Sequence, residues 1–149
     1  RLQARLPKLG TSYPASLWFW NGIPNDSREV LGWMFSRGRN HALGTGESLG
    51  LDAKGQLIFR SGVRTFTGKT ATTRWQWHYA TIVRENDVAR VYLDGQLQIE
   101  GKASALQPVQ SLYLGGRHDN QSNWEGRLDE AAIFDRALSA AEVKALSTP

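Results

Sequence analysis

Trp77-His78-Tyr79-Ala80-Thr81-Ile82-Val83-Arg84, then Ala89-Arg90-Val91-Tyr92-Leu93, then Gln96-Leu97-Gln98-Ile99-Glu100, decide how this chain folds. Each run has strand length and is rich in β-branched and aromatic residues. Glu85-Asn86-Asp87-Val88 joins the first two, and Asp94-Gly95 joins the last two. Asp-Gly between apolar runs is the strongest short hairpin signal in the sequence, because both positions of a tight I′ turn need positive φ. Ala80 and Ile82 can face Ala89, Val91 and Leu93 across the first hairpin. The hydrophobic period is two, which belongs to strands and not to helices.

Outward from this hairpin the pattern repeats. Ser48–Leu51 and Gln56–Arg60 flank Asp52-Ala53-Lys54-Gly55, another turn with Gly where positive φ is wanted. Val30–Ser36 is an aromatic-rich strand closed by Arg37-Gly38-Arg39-Asn40. In Tyr13–Trp20, Ala15, Leu17 and Phe19 alternate with Ser16, Trp18 and Trp20, so this strand is apolar on both faces. Ser111–Leu114 and Arg127–Phe134 complete the strands. Only the tail changes period: Ser139-Ala140-Ala141-Glu142 is a capping box, and a short helix over about 140–146 should lay Val143 and Leu146 on the sheets. The expected fold is all-β, a two-sheet antiparallel sandwich with at least ten strands and one short C-terminal helix, in a single domain over 1–149.

Composition removes several chemistries. The 149 residues contain no cysteine, which excludes disulfides, zinc-thiolate sites and thiol catalysis. No apolar run is long enough to span a membrane and no signal peptide is present. The chain opens on Arg1 and reads as a piece of a larger protein or a processed form. The net charge of +4 comes from dispersed arginines without a nucleic-acid motif, the pattern of a solvated mixed surface, with an anionic polysaccharide as the functional alternative.

Three stretches together resemble one family. Trp77-His78-Tyr79-Ala80 through Val91-Tyr92-Leu93-Asp94-Gly95, then Leu112-Tyr113-Leu114-Gly115-Gly116, then Gly126-Arg127-Leu128-Asp129-Glu130-Ala131 through Asp135-Arg136-Ala137-Leu138-Ser139-Ala140-Ala141-Glu142-Val143, are similar to the laminin G-like jelly rolls of the concanavalin A-like lectin/glucanase superfamily. Members carry a complete strand before the position of Tyr13. Here twelve residues precede it, and the alternation of Leu2, Ala4 and Leu6 with Gln3 and Arg5 suggests a shortened one. The resemblance implies a jelly roll with a concave and a convex face, acting outside the cytoplasm as a binding or adhesion module of a multidomain, bacterial protein. The expected partners are a polysaccharide or glycan and the other domains of the parent, with the domain itself a monomer.

Some relatives of this architecture are glycosidases, so catalysis must be weighed on residues. Glu125, Arg127 and Asp129 share a strand face, but the middle position is a cation. Asp129 and Glu130 are adjacent and should point to opposite faces. The carboxylate pair of a glycosidase is therefore not expected. His41, His78 and His118 lack metal spacing, and His78 reads as a hydrogen-bonded packing residue. The resemblance maps a calcium-linked Asp onto Asp129, and Asp119, Asn120 and Asn123 in the preceding loop can add oxygen ligands. The alternative is an ordinary polar turn, with Asp129 pairing Arg127 or capping backbone amides.

Sugar recognition needs aromatic platforms ringed by amides and charged groups. Of six tryptophans, Trp33, Trp75 and Trp77 read as core or edge packing. Trp124 stands in a polar loop with Arg117, His118, Asp119, Asn120 and Asn123, where a buried role is hardest to justify. Trp18 and Trp20 project away from the Leu17 and Phe19 side. These residues form the expected glycan site. A structural or protein-docking domain is the competing expectation.

Overall fold

A computed structural model describes residues 1–38, 46–104 and 109–148. It has eleven strands in chain order: β1 (Leu2–Leu9), β2 (Tyr13–Asn21), β3 (Val30–Arg37), β4 (Glu47–Asp52), β5 (Gln56–Ser61), β6 (Arg64–Ala71), β7 (Trp77–Glu85), β8 (Val88–Leu93), β9 (Gln96–Lys102), β10 (Val109–Leu114) and β11 (Gly126–Ile133). One helix follows, α1 (Ala140–Leu146). The strands form two antiparallel sheets, six-stranded β1-β10-β3-β4-β5-β6 and five-stranded β11-β2-β7-β8-β9. Among the described residues no helix is long and apolar enough to cross a membrane.

Period-two alternation explains the core. Leu17 and Phe19 on β2, Ala80 and Ile82 on β7, and Val91 and Leu93 on β8 meet Leu31, Phe35, Leu49, Leu51, Leu57 and Phe59 from the other sheet. Each large side chain buried this way contributes about 1.5–3 kcal/mol. The β7–β8 register puts Ala80 opposite Leu93 and Ile82 opposite Val91, as the hairpin reading requires. Asp94 and Gly95 take φ of 49° and 77°, a I′ turn, and a Cβ on Gly95 would come within 2.7 Å of Ser147 Oγ at the end of α1.

Two strands differ from expectation. β1 runs eight residues, beyond the Leu2–Leu6 alternation that suggested it, and pairs with β10, Leu2 against Leu114 and Ala4 against Leu112. β6 has no counterpart in the sequence reading, because its largely exposed Thr-rich run carries no apolar alternation. It is held by β9, where Gln98 Oε1 accepts the amides of Lys69 and Thr70 at 3.1 and 3.0 Å.

The helix closes only part of the outer surface of the five-stranded sheet. Ser139 and Glu142 form the expected capping box. Val143 is buried against Val83, Tyr92 and Leu138, whereas Leu146 is 38% exposed and does not pack as expected. The other end of that sheet face, where β11, β2 and β7 lie side by side, carries no helix.

Candidate functional site

On this uncovered face the register lines up two cross-strand rows. Asp129 on β11 pairs with Trp18 on β2, which pairs with Tyr79 on β7. One step along, Arg127 pairs with Trp20, which pairs with Trp77. Neighbouring strands lie about 4.8 Å apart, so side chains in a row touch. Trp18 and Tyr79 have ring centroids 5.0 Å apart, and the Tyr79 hydroxyl donates to Ser16 Oγ at 2.7 Å. The Arg127 guanidinium lies 5.3 Å over the Trp20 ring. Trp77 is 42% exposed and Trp75, in the turn before it, 63%. Both read from the sequence as core or edge packing, and neither lies in the core. The ends of β2 and β7 run past α1, and among the described residues no helix covers them.

A groove of about 450 Å³ on this face is lined by Trp18, Trp77, Asp129 and Glu130. Strict alternation would have sent Asp129 and Glu130 to opposite faces. The β11–β2 register breaks between Asp129 and Ala132, and Glu130 takes φ 46°. Such a bulge adds a residue to one strand and turns its side chain, so two adjacent carboxylates reach one groove. Asp129 Oδ1 accepts the Glu130 amide at 2.8 Å. Both residues are exposed.

The loop before β11 is a separate place. Arg117 grips Asp119 through Nε at 3.2 Å and Nη2 at 2.5 Å, and its guanidinium lies 5.0 Å over Trp33. Burial works to raise the Asp119 carboxyl, but the Gln121 amide and Arg117 overcome it and hold the group below the usual carboxylate range. The carbonyls of Arg117 and His118 accept from Arg1 Nη1 at 2.5 and 3.1 Å. Asn123 Nδ2 donates to Asn120 Oδ1 at 2.9 Å. Trp124 has the packing role that seemed hardest to justify: its half-buried ring meets Phe19 edge-on at 5.9 Å, against the main core. Arg117, His118, Asp119, Asn120, Asn123 and Trp124 are thus brought together as a cross-tied loop. Trp18 and Trp20 lie on the outer sheet face, in the cross-strand rows described above.

The remaining candidates resolve on geometry. Trp33 is buried, with the Arg60 guanidinium 5.1 Å over its ring. Glu125 pairs with Arg28 at 2.9 Å and does not line the groove. His78 Nδ1 lies 2.8 Å from Asp94 Oδ2, and its ring 5.6 Å from Phe19. That bond and the Asp94 charge raise its pKa against the opposing pull of burial. His41 lies outside the described residues.

Calcium needs several oxygen ligands around one point. Asp129 lies in the groove while Asp119 is held by Arg117, and no group of three His, Asp or Glu among the described residues can hold a metal. In the loop Asp119 accepts from Arg117 and the Gln121 amide and Asn120 Oδ1 from Asn123 Nδ2, whereas the buried Asn123 Oδ1 has no hydrogen-bond partner. Asp129 and Asp119 thus lie in two separate places, the groove and the loop.

The sequence reading missed Trp77 and Glu130. Trp77 opens its strand next to a turn, where covering structure is least expected, and that position was the available signal. Nothing in Asp-Glu-Ala announces a bulge.

The sequence model of one family, described as the concanavalin A-like lectin/glucanases superfamily, matches residues 3–144. No curated protein matches the sequence. Among solved structures, domain 4 of AbnA, a GH43 extracellular arabinanase from Geobacillus stearothermophilus, in complex with arabinotriose, is similar at TM-score 0.70 and 21% identity over 97% of this chain and 71% of that one. The native heptameric SAP-like pentraxin from Limulus polyphemus gives 0.75 and 15% over 98% and 74%. The Ruminococcus gnavus IT-sialidase CBM40 gives 0.75 and 12% over 99% and 98%. At these identities the likeness is one of fold.

Proposed function

The chain belongs to the concanavalin A-like lectin/glucanases superfamily, and from that premise we propose that it is a non-catalytic carbohydrate-binding module whose site is the groove between Trp18, Trp77, Asp129 and Glu130. One observation carries this reading: an exposed indole, Trp77, a half-buried one, Trp18, and two exposed carboxylates share a single groove. An indole offers an apolar platform to the C–H face of a sugar ring, while carboxylates accept its hydroxyls in charge-assisted hydrogen bonds. The arabinanase domain was solved with arabinotriose and the CBM40 with α2,3 sialyllactose, which supports a saccharide as the ligand class.

Catalysis is weighed against by the same residues. Glycoside cleavage needs a general acid that keeps its proton at working pH, which burial or a like charge enforces. Asp129 and Glu130 are exposed, so burial does not enforce it. In a glycan array followed by titration of the best hit, Trp77→Ala should lose retention while melting as the parent does. Release of reducing ends that disappears in Glu130→Gln would defeat the non-catalytic reading. The setting that suits such a module is outside the cytoplasm, on a larger parent protein.

A protein-docking role is the second reading. It is favoured by an apolar opening of about 290 Å³ between the sheets, lined by Leu6, Phe35, Leu112, Leu114 and Ile133 among others. Binding of the parent's other domains, with no glycan retained, would select it.

A further inference from the structure

Tryptophan and arginine are paired repeatedly in this molecule. Arg127 lies over Trp20 at 5.3 Å, Arg74 over Trp75 at 4.4 Å, and Arg60 and Arg117 over Trp33 at 5.1 and 5.0 Å. In each case a cation meets the negative face of an indole. Trp18 and Trp77 are the exceptions in the groove: among the described residues no cation sits over either ring. Instead they share the groove with Asp129 and Glu130, for which no cationic partner is present among the described residues. Arg127, one row along, is engaged on Trp20. The groove therefore has the indole faces and the carboxylates that a cation would satisfy, and lacks the cation.

Resting on the carbohydrate reading above, we propose that the groove takes a saccharide bearing a protonated primary amine, a de-N-acetylated amino sugar, and discriminates against acidic glycans although the chain as a whole is basic. The sugar ring stacks on Trp77 or Trp18 and its ammonium donates to Asp129 and Glu130. An acidic sugar in the same pose meets two like charges. An exposed ion pair yields up to about fivefold in affinity, and an exposed cation–indole contact about the same. Together they set a preference of about tenfold for the free amine over its N-acetyl form at low salt, shrinking as salt screens it.

The test is titration of the whole chain with four oligosaccharides of equal length: chitosan, chitin, cello-oligosaccharide and oligogalacturonate, at mildly acidic pH. A blocked lysine amide serves as a fifth ligand. The expected order is chitosan first, chitin and cello-oligosaccharide weaker, and oligogalacturonate weakest. Asp129→Asn with Glu130→Gln should weaken every ligand but chitosan most, so that chitosan binds no more tightly than chitin. Equal binding of chitosan and chitin, or oligogalacturonate as the tightest ligand, overturns the amine inference and leaves the carbohydrate reading standing. Binding of no oligosaccharide overturns both. Lysine amide binding as tightly as chitosan overturns the saccharide as the amine's carrier.

Discussion

Glu47→Gln is the substitution whose cost can be worked most fully from the structure. Glu47 lies between the sheets with its side chain wholly buried, facing an equally buried Arg84 from the opposite sheet. Its Oε1 accepts from Arg84 Nε at 2.9 Å and Ser61 Oγ at 3.0 Å, and its Oε2 accepts from the Tyr13 hydroxyl at 2.6 Å. Burial, reinforced by the Glu47 charge, pushes the Tyr13 hydroxyl well above its ordinary pKa and keeps it a donor. Glutamine preserves the volume but removes the charge, so Arg84 is left uncompensated in the interior and one acceptor becomes a donor facing donors. Breaking a buried pair from one side costs about 3–5 kcal/mol. For a domain of this size each kcal/mol shifts Tm by about 2–4 °C, so the loss should be about 6–20 °C. Thermal and urea melts of Glu47→Gln, Arg84→Met and the double variant measure it, with a coupling of about 2 kcal/mol or more expected between the sites. A Tm within about 3 °C of the parent for Glu47→Gln would refute the reasoning.

Three further outcomes are expected. Gly50→Ala would place its Cβ 2.2 Å from the Gly32 carbonyl oxygen and 2.9 Å from the Trp33 ring, so it should lose at least about 2 kcal/mol in a urea melt; an unchanged midpoint counts against the β3–β4 packing. For the His78–Asp94 bond, burial works to raise the Asp94 carboxyl, but His78 and the Tyr79 amide overcome it and hold Asp94 low, while His78 is raised. The Asp94 contribution is present above its ordinary 3.8 and lost as pH falls through its lowered value, whereas the His78 contribution is present below its ordinary 6.5 and lost as pH rises through its raised value. Stability from this bond is therefore fullest between those ordinary values, and Asp94→Asn should flatten that part of the stability–pH curve. Calcium against chelator should leave Tm unchanged, since Asp119 is held by Arg117; a rise of several degrees would show a site the donors do not suggest.

Local chemistry made most of the fold legible. Asp94-Gly95 takes the two positive φ values that its residue types invite, and Leu17, Phe19, Ala80 and Ile82 lie where alternation puts them. What was not legible depends on distant partners. The strand ending at Leu51 reads as starting at Ser48 because Glu47 looks like a surface residue; its burial is made tolerable by partners distant in sequence, Arg84, Tyr13 and Ser61. Trp124 looks exposed among polar neighbours until Phe19 meets its ring. Trp77 reads as core or edge packing, yet α1 packs on Val83 and Tyr92 and leaves it 42% exposed. The groove itself depends on Glu130 adopting φ 46°, a conformation that glycine and asparagine signal and glutamate does not.

The central claim, that sugar binds the outer face of the five-stranded sheet and not the Arg117–Trp124 loop, is tested most directly by paired isotherms of Trp77→Ala and Trp124→Phe on the tightest glycan. Trp77→Ala should weaken binding by about tenfold or more with an unchanged melt, and Trp124→Phe should keep full affinity while melting lower. Full affinity in Trp77→Ala with loss in Trp124→Phe would contradict it.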